Sequence, residues 1–454
     1  MATIVNKNNF KLIDWEEKTL GELCDRVSVG HVGPTSEFFC SKELGIPLIR
    51  SMNVKPGELR LNGLAYITPE FHNKLKKSKL QAYDILIVRV GANRGDCCTL
   101  PKGMGEINCA NIVFARPKEN NGFLGYFFRS PLGQGILQSL STGSAQGVIN
   151  TGSIEKIKIP TPNLATQKKI ASILTAYDEL IENNNQRIKL LENMAEEIYK
   201  EWFVRLRFPG YQDSTYFNKD GDKVPCGTQG ALPEGWENSQ LKNHIEYYRG
   251  KSYSSKELRD HEGLAMLNLK NVNRQGGFRL DGVKYFEGKY NANNEAYTGD
   301  IIMAVTDMTQ EREIVGRVAR VPDMGIEKFI ISMDLIRIEP LKLPKVFLYC
   351  FFRYSGIGLQ LKEFANGANV LHLTPSIIEL QKGIFPEIKV CESFDVIIEP
   401  MLNEIDTLNN KNKVLQETRD LLLPRLISGK LSVEDINLEN SIIRATEPES
   451  EYKS

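Results

Sequence analysis

The chain has 454 residues, of which 41% are hydrophobic and 25% are charged, and its formal net charge at pH 7 is zero. That length accommodates two or three domains with full cores, and the composition is ordinary for a globular protein. The sequence contains neither a run of about 20 apolar residues nor a charged-then-apolar leader, so we expect a cytoplasmic protein without a membrane span. The cysteines form no CxxC pair, which argues against a zinc or disulfide framework, and the neutral balance means that any basic surface is local.

Residues 1–163 are predicted to form a first domain. Apolar, β-branched runs bounded by turn residues predict strands at residues 46–54, 84–91 and 107–117. An amphipathic, aromatic-rich helix is predicted at residues 122–140. Because strands outnumber helices, the domain is expected to be α+β with a twisted, mainly antiparallel sheet.

Long helices are predicted at residues 164–206 and 391–429, where apolar residues recur at alternating steps of three and four. This spacing is typical of a seam in a two-stranded coiled coil. Each stripe continues for about four heptads and includes an asparagine among its apolar members. The seam residues expected to pack are Tyr177, Ile181, Asn184, Ile188 and Leu191 in the first helix, and Ile405, Leu408, Asn412 and Leu415 in the second.

Between the helices lie a linker and a second domain. Residues 207–233 carry Pro, Gly, Asp and Ser with few aliphatics, and they are predicted to be a linker or an ordered crossing loop. The second domain, residues 234–390, is predicted to be α+β like the first. Its strands are expected at residues 264–272, 300–305, 313–322 and 329–340, and a helix at residues 344–364. Residues 430–454 form a polar tail.

The second half of the chain repeats the plan of the first. Arg60–Gly63 reads RLNG and is echoed by RLDG at residues 279–282; FFR at residues 127–129 returns at 351–353. The two copies lie about 220 residues apart and drift slightly, as expected when surface loops gain and lose residues. Two copies of one fold imply two related sites. Arg129 and Arg353, which end the FFR repeats, are interpreted as fold or partner contacts.

The two seams also predict how the helices pair. If they run antiparallel with Asn184 opposite Asn412, Ile181 faces Leu415 and Ile188 faces Leu408. A buried asparagine pair penalises slipped registers, because a slip leaves an amide facing Leu or Ile. The alternative is that each helix packs separately on its own domain. A helix of about 28 residues spans roughly 42 Å, a little more than one turn of B-DNA, which suits two reading domains on one face of a duplex.

Several motifs resemble those of the specificity subunit of type I restriction-modification systems. They are Gln167–Ile170 after Ile159–Pro162, the helix ending Glu201–Phe203, the restart Leu232–Glu237 and the ending Leu422–Gly429. The resemblance covers nearly the whole chain. It implies two target recognition domains, each reading one part of a split DNA sequence, with an antiparallel coiled coil setting the unspecified gap.

The resemblance further implies that this chain is not an enzyme. Its expected partners are double-stranded DNA, two methylation subunits and restriction subunits, with no membrane. S-adenosylmethionine, ATP and magnesium are expected on those partners, and no cofactor or metal is expected on this chain. The sequence agrees, because it lacks the Asn-Pro-Pro-Tyr or Asp-Pro-Pro-Phe motif of an amino-methyltransferase.

Candidate DNA-contacting residues are polar side chains at predicted strand ends and in neighbouring loops. Arginine can pair with guanine, and asparagine or glutamine with adenine. Glycines around Asn93 and Arg94 would allow a close approach to a groove. Asn150 either contacts DNA or caps local structure. The first-domain candidates are Arg50, Asn53, Arg89, Asn93, Arg94, Gln146 and Asn150, and the second-domain candidates are Lys251, Lys270, Asn271, Thr306, Thr309, Gln310, Arg312 and His372.

Two other functional classes remain open from the sequence. A two-headed coiled-coil adaptor would bind other proteins rather than DNA. A self-sufficient enzyme would need a methyl-transfer or nuclease centre. Sequence-dependent DNA protection distinguishes the first from a DNA reader, and a methylation assay on the purified chain detects the second.

Overall fold

The computed structural model of the chain describes residues 15–142, 148–368, 370–434 and 436. By internal contacts the chain divides into two compact units. One contains residues up to 181 together with those from 414 onward, and the other contains residues 182–413. Each unit therefore holds one domain and one part of each long helix.

The first domain alternates short strands with short helices. Its strands are β1 (Glu16–Thr19), β2 (Cys24–Val29), β3 (Ile46–Ile49), β4 (Val54–Lys55), β5 (Glu58–Leu59), β6 (Ala65–Ile67), β7 (Ile85–Val88), β8 (Cys97–Thr99), β9 (Asn108–Cys109), β10 (Ile112–Pro117) and β11 (Lys158–Thr161). Its helices are α1 (Leu20–Leu23), α2 (Pro69–Lys74), α3 (Phe123–Arg129), α4 (Pro131–Thr142) and α5 (Thr151–Glu155).

The first long helix, α6 (Leu164–Tyr199), continues into a π-helical turn, Lys200–Val204. The segment predicted to be a linker then forms a small antiparallel sheet. Its strands are β12 (Tyr216–Phe217), β13 (Lys223–Val224) and β14 (Leu232–Pro233), with β12 in the middle. The segment is therefore an ordered connection.

The second domain follows the same plan and leads into the second long helix. Its strands are β15 (Glu237–Gln240), β16 (Ile245–Arg249), β17 (Leu258–Arg259), β18 (Leu264–Leu267), β19 (Lys284–Phe286), β20 (Glu295–Ala296), β21 (Ile301–Ala304), β22 (Thr306–Asp307), β23 (Val318–Arg320), β24 (Phe329–Ile331), β25 (Leu335–Pro340), β26 (Leu371–His372) and β27 (Lys382–Phe385). Its helices are α7 (Lys345–Tyr354), α8 (Ile357–Leu361) and α9 (Ser376–Leu380), and the long helix is α10 (Ile388–Ile427).

Both domains contain the same antiparallel four-stranded sheet. Its strand order is β2-β10-β7-β8 in the first domain and β16-β25-β21-β23 in the second. A second, mixed sheet has the order β6-β3-β9 in the first domain and is extended to β17-β19-β18-β24-β20 in the second. Its parallel pairs, β3 with β9 and β18 with β24, are equivalent. The predicted α+β class and the internal repeat are confirmed.

Two predicted long strands are wrong in the same way. The strand expected at residues 107–117 is two strands, β9 and β10, which belong to different sheets, and the strand expected at 329–340 is likewise split into β24 and β25. The first break lies at Asn111, whose φ of 55° is left-handed. The second is a turn in which the Leu335 N–H donates to the Ser332 carbonyl. Apolar runs on both sides of each break hide it, because both strands are buried.

Aromatic residues attach each domain to the long helices. Phe123, Phe127 and Phe128 of α3 are fully buried in a core that also contains Ile170 and Leu174 of α6. In the second domain α7 packs in the same way, in a core that includes Phe394 and Ile398 of α10. Burial of these aromatic side chains contributes apolar stabilisation at each junction.

The long helices pair antiparallel within each unit. In the second unit the Asn184 side-chain N–H donates to the Asn412 carbonyl oxygen over 2.9 Å, which is the pairing that the seam predicts. Both asparagines are buried, as are Ile181, Ile405 and Leu408. In the first unit the same register brings Ile170 and Leu426 into one core. The predicted antiparallel coiled coil is confirmed.

We expect the asparagine pair to trade stability for register. Replacing both Asn184 and Asn412 with leucine should raise the free energy of unfolding by about 1–3 kcal/mol, because a buried polar pair is replaced by apolar contacts. Replacing Asn184 alone should lower it, because the buried Asn412 side-chain oxygen loses its donor, while the Asn412 amide N–H still donates to Asn185. Urea unfolding followed by circular dichroism measures both changes. A double variant less stable than the natural chain would contradict this interpretation.

The predicted polar tail begins with packed residues. Val433 is buried in the core of the first unit. The Lys169 ammonium group donates to the backbone carbonyls of Val433 and Glu434. The start of the tail is therefore part of the domain, and residues 437–454 lie outside the described residues.

Candidate nucleic-acid interface

Each domain has one edge at which several strands end together. In the first domain β2 and β7 end at this edge, β10 begins there, and the parallel strands β3 and β9 end beside them. In the second domain β16, β21, β18 and β24 end, and β25 begins, at the equivalent edge. Residues that follow these strand ends are brought together from distant parts of the sequence. We call this the polar edge of each domain.

The polar edge of the first domain carries three half-buried arginines. Arg50 follows β3, Arg89 follows β7, and Arg94 lies in the turn between β7 and β8. In each of the three the Nε atom is buried and has no hydrogen-bond partner in the described part of the chain. The Arg50 guanidinium lies over the Phe39 ring, 5.5 Å from its centre, so the ring supports the cation at this edge. A guanidinium group carries further N–H donors on its two Nη atoms, and these can donate to a ligand at the edge.

The glycine-rich turn of the first domain is partly structural. Gly91 and Gly95 both have positive φ, at 90° and 92°. Gly95 packs against α4, since a Cβ there would lie 3.3 Å from the Leu137 carbonyl oxygen. Gly91 has open space around it, and Asn93 is exposed. Only the Gly91 side of the turn therefore has room for the close approach that the sequence predicts.

A second loop lies beside this turn. The Ile149 N–H donates to the Arg89 carbonyl, which brings residues 148–150 to the polar edge. Asn150 caps α5 by accepting a hydrogen bond from the Ser153 N–H over 2.8 Å, yet the residue is exposed. The side-chain oxygen of Asn150 therefore caps the helix, as one of the two predicted roles requires, and its side-chain N–H groups remain available. Gln146, which the sequence also indicates, lies outside the described residues.

Asn53 and Asn271 must be reassigned. Both are fully buried and occupy equivalent positions. Asn53 accepts from the Arg50 N–H and donates to the Arg60 carbonyl, and Asn271 makes the same pair of bonds with Asn268 and Arg279. Because each amide holds the turn that follows β3 or β18, neither is available to a base in this structure. They shape the edge rather than contact DNA.

In the second domain Lys251 and Lys270 lie at the polar edge as cations. Lys270 is exposed in the turn after β18, and Lys251 is half-buried beside Ser332 after β24. Thr306, by contrast, is buried, and its hydroxyl donates to Asp334. Thr306 is therefore also reassigned from DNA contact to the support of the edge.

The remaining candidates of the second domain lie in or beside a loop that Asp307 folds. Asp307 accepts from the N–H groups of Ile314, Thr309 and Val315 and from the Thr309 hydroxyl. Burial opposes ionisation of Asp307, but these hydrogen bonds outweigh it, so the pKa of Asp307 is below its ordinary value. The loop is thus held as a compact turn that exposes its tip.

The loop tip meets the strand that carries His372. The backbone of Thr306 pairs with that of His372, and the Gln310 amide donates to the Ala368 carbonyl. Gln310 and His372 are exposed. Arg312 is not a free cation, because its guanidinium lies 3.2 Å from the Glu363 carboxylate. The structure therefore brings together Thr309, Gln310 and His372, with Arg312 paired to an acid.

Asp307→Asn should loosen this loop. An amide in place of the carboxylate cannot accept from all four donors, and leaving buried N–H groups unpaired costs about 1–3 kcal/mol. Since the folded pKa of Asp307 is depressed, acidification below about pH 4 should have the same effect, as stability present above the unfolded pKa is lost when the carboxylate protonates. Hydrogen–deuterium exchange at residues 308–315 measures the change. Equal protection in the variant would contradict the role given to Asp307.

The sequence reading missed residues that the repeat itself indicates. His31 follows β2 as Lys251 follows β16: the His31 N–H donates to the Cys109 carbonyl and the Lys251 N–H to that of Ile331. Only Lys251 was predicted, although Gly30–His31 matches residues 250–251. Exposed methionines, which carry no polar signal, also lie in turns of the polar edges. They are Met52, Met308 and Met333.

No group of three or more His, Cys, Asp or Glu side chains among the described residues is arranged to hold a metal ion. Over the same residues, no helix combines the length and the apolar character needed to cross a membrane.

Comparison with known proteins shows similarity to one family. Residues 13–193 match the type I restriction modification DNA specificity domain. The chain is 25% identical over 340 residues to the type I restriction enzyme MjaIX specificity subunit of Methanocaldococcus jannaschii, a match that covers 72% of each chain. It is 22% identical over 436 residues to the putative MjaX specificity subunit of the same organism, covering 92% of this chain and 94% of the relative.

A solved structure shows the same fold over nearly the whole chain. The crystal structure of the type I restriction-modification S subunit from M. genitalium aligns with a TM-score of 0.57 at 15% identity, covering 94% of this chain and 98% of that one. The resemblance read from the sequence motifs is confirmed. Over most of its length the chain is similar to type I restriction-modification specificity subunits, and residues 13–193 match the DNA specificity domain of that family.

Proposed function

We propose that this chain reads a bipartite DNA target, with the polar edge of each domain contacting one half-site and the coiled coil setting the gap between them. One observation carries the proposal. The two edges share their supporting residues, such as Asn53 and Asn271, but differ in the side chains that they expose. A common frame with different exposed donors and acceptors is what two readers of different sequences require.

The exposed chemistry of each edge supports DNA rather than protein as the ligand. The first domain offers three arginines and Asn93, a set suited to guanine, adenine and phosphate oxygens. The second offers Lys251, Lys270, Gln310 and His372. Phosphate contacts would position the complex, and about two to four base contacts per domain would specify it, each bidentate pair discriminating by about 1–3 kcal/mol.

In this proposal the chain is the non-catalytic member of a larger complex. Two methylation subunits that carry S-adenosylmethionine would bind it and modify adenine, and ATP- and magnesium-dependent restriction subunits would join them. Those partners would also extract the target adenine from the duplex, since base flipping requires a snug active-site pocket. They would add positive surface, which a chain of zero net charge needs for tight binding.

Selection from a random pool tests the proposal directly. The chain, assembled with its methylation subunits, is incubated with random-sequence duplexes, and the bound fraction is sequenced over several rounds. We expect enrichment of two specified blocks separated by a constant unspecified gap. An adaptor that binds only proteins would enrich no sequence. A single continuous block would show that the two domains do not read separate half-sites.

A further inference from the structure

In the first unit, α3 is fastened to the long helices through one carboxylate. Asp178 of α6 accepts hydrogen bonds from the Arg129 guanidinium over 2.8 Å and from the Tyr126 hydroxyl over 2.8 Å. Its other oxygen accepts from Arg419 of α10 over 2.7 Å. The Arg419 side chain is 12% exposed and the Asp178 side chain 31% exposed, so these contacts are partly shielded from water. Asp178 therefore connects the first domain to both long helices at one point.

In the second unit, the corresponding carboxylate lies on the other helix. Asp406 of α10 accepts from Arg320 of β23 over 2.6 Å, and the same guanidinium donates to Asn403 over 2.8 Å. A second contact joins Arg353 of α7 to Glu192 of α6 over 2.6 Å. The Arg320 and Asp406 side chains are 12% and 19% exposed. The second domain is thus fastened to both helices as well.

The two carboxylates occupy matching positions in the coiled coil. Asp178 precedes the seam asparagine of its helix, Asn184, by six residues, and Asp406 precedes Asn412 by six residues. The internal repeat therefore extends to the points at which the domains are fastened. The sequence predicts that Arg129 and Arg353, which end the FFR repeats, make either fold contacts or partner contacts. In the structure both make contacts within the fold.

The arginines of α3 and α7 also pack against a turn of their own domain. Gly57 has a φ of 72°, and a Cβ there would lie 3.0 Å from Cγ of Arg129. Gly277 has a φ of 88°, and a Cβ there would lie 2.7 Å from Nη1 of Arg353. Each arginine thus connects a turn, the domain helix and a long helix. A change of angle between domain and helix would disrupt all three together.

Directional contacts of this kind control angle in a way that apolar packing does not. Apolar burial depends mainly on area, and it tolerates small rotations of one surface on another. Charge-assisted hydrogen bonds are short and directional, and they lose strength when donor and acceptor turn. Adding one base pair to a gap moves a half-site by about 3.4 Å and turns it by about 34°, so accepting it demands a rotation of the reading domain.

We propose that Asp178 and Asp406 are spacing-determining residues, which fix the angle of each domain on the coiled coil and so restrict the chain to one gap length. This inference rests on the proposed function. The seam would set the length of the gap, and the two carboxylates would set how strictly that length is enforced.

The test uses Asp178→Asn and Asp406→Asn, each assembled with methylation subunits. Methylation is measured on duplexes that carry both half-sites with the natural gap, one base pair fewer and one base pair more. We expect methylation of the altered gaps, relative to the natural one, to rise about tenfold or more, as for the loss of one charge-assisted hydrogen bond. Global destabilisation would lower methylation of all three duplexes equally and leave this ratio unchanged.

Arg187→Gln is the matched control. Arg187 pairs with Glu404 over 2.8 Å, and this pair joins the two helices to each other and not to a domain. The variant should therefore methylate the altered gaps, relative to the natural gap, to the same extent as the unmodified chain. If an aspartate variant fails to fold, two milder variants replace it. Tyr126→Phe removes one hydrogen bond and keeps the ring, and Arg320→Lys removes one contact and keeps the charge. For both we expect a smaller rise in the methylation of altered gaps relative to the natural gap. A natural ratio in folded variants would overturn the inference. A natural chain without any gap preference would instead overturn the proposed function.

Discussion

Replacing Arg94 with alanine should weaken the selection of one half-site and leave the other untouched. Arg94 lies at the polar edge of the first domain, its Nε has no partner, and no ion pair with Arg94 occurs among the described residues. If its guanidinium pairs with a guanine, the loss should lower discrimination at that base by about 1–3 kcal/mol, or roughly 5- to 150-fold. Methylation rates on duplexes with each position of both half-sites varied in turn measure the effect.

The control for this variant is Lys158→Ala. Lys158 is an exposed cation of the same domain, and it pairs with Glu17. It lies on β11, which pairs only with β1 in a separate two-stranded sheet and not in the sheets whose strands end at the polar edge. Its loss should leave the specified bases unchanged. If the Arg94 variant assembles normally and its base preference is unchanged, Arg94 is not a residue that contacts a DNA base. A change in the half-site of the second domain would contradict the independence of the two edges.

Lengthening the coiled coil should lengthen the gap. Seven residues of heptad sequence inserted after Asn184 and seven before Asn412 keep the seam continuous on both sides, because these asparagines face each other. The insertion adds about 10 Å to the helix pair, equivalent to about three base pairs of B-DNA. The preferred gap in selected or methylated sequences should grow accordingly, with weaker binding because the added DNA also turns.

The same insertion in one helix alone is the control. It shifts the register of one strand of the coil, so it should destabilise the protein and not yield a defined longer gap. A preferred gap that stays natural in the double insertion, with the coil intact by circular dichroism, would show that the coil does not set the gap.

The coiled coil could be predicted from sequence because its evidence is local and periodic. The asparagines interrupt two apolar stripes, and a single register satisfies both. The α+β class and the repeat followed from similar regularities. The break at Asn111 could not be predicted, because the residues on both sides of it fit a strand, and a single left-handed asparagine leaves no pattern in its neighbours.

The candidate site was harder to predict because exposure and hydrogen bonding are not periodic. Asn53 and Arg50 are three residues apart and both polar, yet one is fully buried in a turn and the other has an unpartnered guanidinium nitrogen. Thr306 is buried, and Gln310, four residues later, is exposed. His31 lies at the edge only because β2 ends beside β9, a contact between segments almost 80 residues apart. Such placement depends on tertiary structure.

Mapping methylated adenines across the genome of a strain that carries this chain and its methylation subunits tests the central claim most directly. If two domains read two half-sites at a distance set by the coiled coil, every modified adenine should lie in one split motif, with two specified parts and a gap of constant length. Methylation in an uninterrupted motif, or at half-sites whose separation varies freely, would contradict it.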